Sequence, residues 1–250
     1  MEQHNNAGKP LRKKCLILCG LALCLLSAVT AAVLLYQRHL RNQKGILLAF
    51  DDASTDSWES ALDLFDRYHV KVTFFVSTPV PLDFFDLALA RGHEIGFHTR
   101  MHTNLVQNPD LLYSEAIAPL QEFREAGYEI TSFAYPYGAY EDWMNVELLK
   151  YYDTVRGAFY YRGAYKKDIS GGFIESCSID NLHYESDEDF RAGIIEMLDG
   201  LCSCDDGTVA SVFTHAIGSG DWCITPERLE ILFQEAEKRN LKFYTFRELQ

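Results

Sequence analysis

The chain has 250 residues, 48% of them apolar and 24% charged, an ordinary globular composition that excludes a disordered or low-complexity polypeptide. The first 44 residues carry seven basic side chains against one acidic, +6, whereas the 16 basic and 35 acidic residues that follow give −19. So acidic a body is unsuited to a nucleic-acid phosphate backbone and better fits a neutral or cationic partner, although excess carboxylate also simply keeps a domain soluble.

From Cys15 to Tyr36 runs an uncharged stretch of 22 residues. At about 1.5 Å per residue it is long enough to cross a hydrocarbon core of about 30 Å. The expected organisation is a basic tail (1–14), a transmembrane signal-anchor helix (15–36), a linker (37–45) and one domain (46–250), with the lipid bilayer as a partner. A cleaved signal peptide would usually have a shorter apolar region. Basic residues on both sides of the span only weakly favour a cytoplasmic N-terminus.

Ile46 to Phe50 is a continuous apolar run ending in Asp51 and Asp52, the pattern of a buried strand. Over 56–69, Asp56 and Glu59 stand in capping-box spacing, and Ala61, Leu62, Phe65 and Tyr68 repeat at helical intervals. Further strands are predicted at 70–76, 93–97, 132–136, 210–215 and 241–246. Further helices are predicted at 82–91, 109–126 and from Pro226 to Arg239, with Thr225 as cap. The stretch 160–190 is the least regular. Strands alternating with helices imply a parallel sheet. Asp51, Asp52, His98, Tyr137 and His215 all fall at strand C-terminal ends, which converge on one face of an α/β barrel.

Neighbouring residues of a strand face opposite ways, so Asp51 and Asp52 serve one site only where the chain turns out of the sheet. His98 and His102, in HTRMH, are spaced as on one face of a helical turn, which suits a divalent metal. Thr99 stands where the zinc-protease motif has its glutamate, so a general base must come from elsewhere, and the Asp pair is the obvious source. Two histidines and one carboxylate leave positions open for water and substrate. His215 is placed to protonate a leaving group. Alone, an Asp-Asp pair is more often a solvated loop and a single His more often structural; their company favours chemistry.

LAFDDA, VTFFV, GHEIGFHTRMH, FAYPYG and SVFTH, in this order over about 46–250, resemble the polysaccharide deacetylase family, the NodB-homology carbohydrate esterases. The resemblance implies a distorted (β/α) barrel that removes N- or O-acetyl groups, N-acetyl first, from a cell-surface or extracellular polysaccharide or oligosaccharide. It implies a divalent metal, zinc before cobalt, nickel or manganese, and a domain on the extracytoplasmic side of a single-pass membrane protein. By position it implies Asp51 as catalytic base, Asp52, His98 and His102 as metal ligands, His215 as catalytic acid and the Tyr137 backbone N–H as oxyanion donor. Tyr135, Pro136 and Trp222 are candidate sugar contacts, Trp222 as a groove wall.

The pattern also departs from that family. Ala49 and Ala53 replace the usual Thr and Gly of its first motif, and Ala134 stands where an Arg should touch the catalytic Asp. No Asp and Trp of the fourth motif are evident, so the pKa and orientation of Asp51 are left open. Asp180 reads as an ordinary turn residue in preference to a substitute for the missing polar structure. Cys177, Cys202, Cys204 and Cys223 are expected to be reduced or singly bridged. Two rival readings stand beside the deacetylase: an amidohydrolase for a small amide, and a catalytically silent glycan-binding domain, which the missing Arg favours.

Overall fold

Apolar runs become the staves of a closed sheet. The computed structural model describes residues 43–159, 165–166 and 171–249, with Thr30 as an isolated position. Its strands are β1 (Gly45–Asp52), β2 (Thr73–Val76), β3 (Glu94–Phe97), β4 (Ser132–Ala134), β5 (Thr154–Phe159), β6 (Tyr165–Lys166), β7 (Phe173–Ser178) and β8 (Val209–Thr214). β1, β2, β3, β4, β5, β7 and β8 pair in that order, all parallel, and β8 returns to β1 with Leu48 opposite Val212 and Phe50 opposite Thr214. β6 runs antiparallel to the start of β8. After β9 (Ala216–Ile217) and β10 (Cys223–Ile224), β11 (Lys242–Tyr244) pairs with the first residues of β1.

The register explains why β1 is apolar throughout. Ile46, Leu48 and Phe50 face outward into a cluster with Trp58, Phe65 and Phe74, whereas Leu47 and Ala49 face inward with Phe75, Ala134 and Phe213. A parallel strand buried on both faces has no solvent side to make polar. The helices around it are α1 (Thr55–Ser60), α2 (Leu62–Arg67), α3 (Leu82–Ala90), α4 (Pro119–Glu125), α5 (Asp142–Leu148), α6 (Asp187–Ser203) and α7 (Pro226–Lys238).

Several expectations change in detail. The helix predicted over 56–69 breaks at Ala61 into α1 and α2, and its N-cap is Ser54, so Asp56 and Glu59 form no capping box. The region 109–126 is a 3-10 turn (Pro109–Leu111), a π-helical turn (Tyr113–Ile117) and then α4, which Pro119 opens at a position needing no N–H. The α7 cap is as expected: the Thr225 side chain accepts from the Arg228 N–H. β5, β7 and α6 were not foreseen. For α6 the signal was present, with Ser186 accepting from Asp189 N–H ahead of buried Phe190, Ile194, Met197, Leu198 and Leu201.

The membrane expectation is corrected. Among the described residues no helix is long and apolar enough to cross a membrane. The span from Cys15 to Tyr36 lies, apart from Thr30, outside the described residues. The transmembrane signal-anchor, the lipid bilayer as partner and the single-pass extracytoplasmic location are therefore withdrawn. What the structure supports is the α/β barrel of the unit Gln43–Gln250. Among the described residues no disulfide joins Cys177, Cys202, Cys204 or Cys223.

Candidate active site

β1 leaves the sheet at Asp52, whose φ of 87° lies in the left-handed region. That turn lets both neighbouring carboxylates serve one site: Asp51 is buried in the barrel mouth and Asp52 is half-buried beside it. Oδ1 of Asp52 lies 3.2 Å from His102 Nε2 and 3.7 Å from His98 Nε2. The three side chains can each offer a ligand atom within 4.8 Å of the others.

The donor chemistry fits a divalent cation. His98 Nδ1 lies 2.8 Å from the Ala134 carbonyl oxygen, to which it donates, so its Nε2 presents a lone pair to the cluster. Burial holds the His98 imidazole well below its usual pKa, against the pull of Asp52, and so keeps it neutral as a ligand must be. The buried Oδ1 of Asp52 receives no hydrogen bond from the described residues, an acceptor that a cation would satisfy.

HTRMH is not helical, contrary to the reading of its spacing. Thr99 and His102 both have positive φ, 63° and 53°, and these two left-handed residues bring the rings together, 5.1 Å between centroids. For a β-branched residue such a φ is costly and persists only where the surroundings impose it. They do so here: Ser77 Oγ donates to the His98 carbonyl at 2.8 Å and Thr78 Oγ1 to the Arg100 carbonyl at 3.0 Å.

The missing Arg is present on another strand. Arg156 of β5, 1% exposed, donates from Nη2 to Asp51 Oδ2 at 2.5 Å, with its guanidinium 4.4 Å from the Phe213 ring and 5.3 Å from that of Phe75. Arg156 is the direct register partner of Ala134. The guanidinium thus reaches Asp51 from the strand next to the one that carries Ala134. Burial raises Asp51 above the ordinary carboxylate range, and Arg156 opposes that rise.

Asp180 is no ordinary turn residue, and that reading is corrected. It is fully buried, and its Oδ2 lies 2.8 Å from His215 Nδ1 and accepts from Ser178 Oγ at 2.7 Å. Its Oδ1 accepts from Thr214 Oγ1 at 2.6 Å and from the His215 N–H at 3.2 Å. The His215 carbonyl is tied in turn by Trp58 Nε1 at 2.7 Å. Burial pushes the His215 imidazole down, but the bond to Asp180 and the charges of Asp180, Asp51 and Asp52 raise it overall.

Asp51, Asp52, His98, His102, His215 and Trp222 all line one cavity of about 680 Å³. Tyr137 lines it too, with φ 60° and its ring 4.6 Å from that of His102. Gly138 follows because a Cβ there would sit 2.1 Å from that of Ala158. Trp222 stands exposed, edge-on to His215 at 5.5 Å. Tyr135 and Pro136 do not line the cavity: Tyr135 is wholly buried, and its hydroxyl donates to Asn145 Oδ1 at 2.9 Å, so the expected sugar contacts there are corrected to core packing. Arg156 and Asp180 were the functional residues the sequence reading missed; the only signal for Arg156 was a lone charge within TVRGAF.

Fold and site together define an α/β barrel with an Asp–His–His cluster able to hold a divalent metal. Residues 39–153 match the family model described as polysaccharide deacetylase, a span that holds Asp51, Asp52, His98, His102 and Tyr137 but ends before Arg156, Asp180 and His215. Peptidoglycan-N-acetylglucosamine deacetylase PgdA of Listeria monocytogenes is 32% identical over 105 residues, 40% of this chain and 22% of that protein. The putative polysaccharide deacetylase YheN of Bacillus subtilis is 32% identical over 108 residues, 38% of this chain and 36% of that protein. The matches thus span about a fifth to a third of those relatives' length. Among solved structures, the Xyl-CE4 domain of a multidomain xylanase from the hindgut metagenome of Trinervitermes trinervoides superposes with a TM-score of 0.58 and 21% identity, covering 83% of this chain and 90% of that one. Residues 39–153, a little under half of the chain, are thus similar to the polysaccharide deacetylase family.

Proposed function

We propose that this protein removes acetyl groups, N-acetyl first, from a polysaccharide by metal-assisted hydrolysis. One observation carries the reading: a carboxylate held by Arg156 and an imidazole held by Asp180 share a cavity with the Asp52–His98–His102 cluster. Zinc suits a site of two imidazoles and one carboxylate. A divalent cation there would polarise the acetyl carbonyl and lower the pKa of water from about 15.7 toward about 7.

The chain's own residues supply the proton transfers. Arg156 engages Oδ2 of Asp51, while Oδ1 has no hydrogen-bond partner among the described residues and so can take a proton from the attacking water. The new C–O bond forms on the acetyl carbon, with the Tyr137 backbone N–H assigned to the oxyanion. His215, its Nδ1 turned to Asp180, carries its mobile proton on Nε2. That proton passes to the nitrogen as the C–N bond breaks, so acetate and amine leave without a covalent acyl-enzyme. The silent glycan-binding alternative loses its main support, because Arg156 supplies the guanidinium it required to be absent.

Tyr137 and Trp222 are assigned to stack on sugar rings flanking the reacting residue. Trp222→Ala is expected to raise KM about three- to tenfold with little change in kcat, the loss of one aromatic contact. Steady-state kinetics on N-acetylglucosamine oligomers check this. A fall in kcat at unchanged KM would remove Trp222 from sugar binding. The function itself is tested by acetate release from those oligomers, expected to stop on chelation and return with zinc. No release from protein carrying one zinc per chain would refute it.

A further inference from the structure

We propose that Glu115 is a positioning residue that holds the loop bearing His102 in its metal-binding shape. The proposal rests on reading Asp52, His98 and His102 as the metal ligands. Glu115 sits in the π-helical turn Tyr113–Ile117, beyond the loop that carries His102, and is buried. Its Oε2 accepts from the Met101 N–H and from Thr103 Oγ1, both at 2.9 Å, the residues on either side of His102. Its backbone carbonyl accepts from the Arg100 N–H at 2.9 Å. One residue thus satisfies three donors of a five-residue loop in which Thr99 and His102 are left-handed.

The π-helical turn is part of the device. The Ala118 N–H donates to the Tyr113 carbonyl at 2.8 Å, closing a wide turn with Glu115 inside it. Such single turns occur frequently at functional sites. Thr103 completes the brace, its own N–H donating to Thr99 Oγ1 at 2.9 Å. Arg100 does not consume the Glu115 carboxylate, because its guanidinium pairs with exposed Glu122. Partners that orient metal-ligating residues typically govern metal affinity by about 10- to 100-fold.

The test uses the full chain, stripped of metal, with zinc affinity read by competition against a chromogenic chelator and the site's shape read from the Co²⁺ absorption spectrum. Glu115→Ala is expected to weaken zinc binding about 10- to 100-fold and to alter the Co²⁺ bands. Glu115→Gln, which keeps an acceptor oxygen in place, is expected to recover most of the affinity. Thr103→Val removes one of the three bonds, leaves the turn intact, and is expected to cost about two- to tenfold. Glu122→Ala, on the same loop's exposed ion pair, should bind zinc as the parent does. Parental zinc affinity in folded Glu115→Ala, or in Thr103→Val where the alanine variant does not fold, overturns the proposal. A glutamine variant as weak as the alanine one also overturns it. Failure of the parent chain to bind zinc would instead remove the metal centre itself, a result readily told apart from the others.

Discussion

Asparagine at position 180 is expected to lower kcat/KM at neutral pH by about 10²- to 10⁴-fold, the range associated with losing an effective general acid. It is also expected to move the alkaline limb of the pH profile toward lower pH. As the proposed proton donor His215 acts only while protonated, and the carboxylate of Asp180, with Asp51 and Asp52, raises its pKa above the usual 6.5 despite burial. Activity therefore falls as pH rises through that raised value. An amide keeps the size of Asp180 but has one acceptor oxygen where the carboxylate has two, so it accepts from Thr214 Oγ1 or from His215 Nδ1 and not from both, and it brings no charge. The imidazolium loses its nearest partner, and the limb must shift acidward. The measurement is kcat/KM against pH for parent and Asp180→Asn on N-acetylglucosamine oligomers. An alkaline limb that stays in place would separate Asp180 from the proton on His215.

Arg156→Met should be the most damaging single change for stability. It removes one member of a buried ion pair and leaves the enclosed Asp51 without its hydrogen-bonded counter-charge, opposed only by the imidazolium of His215, a loss of about 3–5 kcal/mol. With the opposing guanidinium gone, burial raises the Asp51 pKa further and leaves it protonated, unable to act as base, at a pH where the parent works. Urea unfolding and acetate release report the two effects separately. Because Ala134 is the lateral neighbour of Arg156, adding Ala134→Arg to Arg156→Met is expected to recover part of both. A stable, active Arg156→Met would refute the pairing. A double variant no better than the single would show that the two strand positions are not equivalent.

These residues mark the boundary of what the chain discloses before it is folded. Ile46–Phe50 announces a doubly buried strand, and alternation with helices announces the barrel. Asp51, Asp52, His98, Tyr137 and His215 were legible because each lies at or shortly beyond the C-terminal end of a strand, and His102 because it stands four residues after His98. Arg156 and Asp180 were not, because their roles depend on register between strands that are distant in sequence. TVRGAF also breaks its own apolar run with the charge that matters, so β5 escaped notice. Helical spacing gave the right partners in HTRMH for the wrong reason, since spacing carries no information about a positive φ. Tyr135 misled because an aromatic beside a site and an aromatic beneath it look alike in one dimension.

Closure of the sheet sets a timetable for the growing polypeptide. His102, the last residue of the Asp–His–His cluster, is made early, but the stave that seals the open side of β1 ends only at Thr214, and His215, the proposed proton donor, follows it. Between those two points Gly45–Phe50 has an unsealed edge along an apolar strand, the kind of surface that recruits other chains. Interrupted or C-terminally clipped copies would carry the full set of ligands on an open sheet. The hazard during synthesis therefore lies in the hundred-odd residues for which the chain can gather its metal and cannot yet close around it.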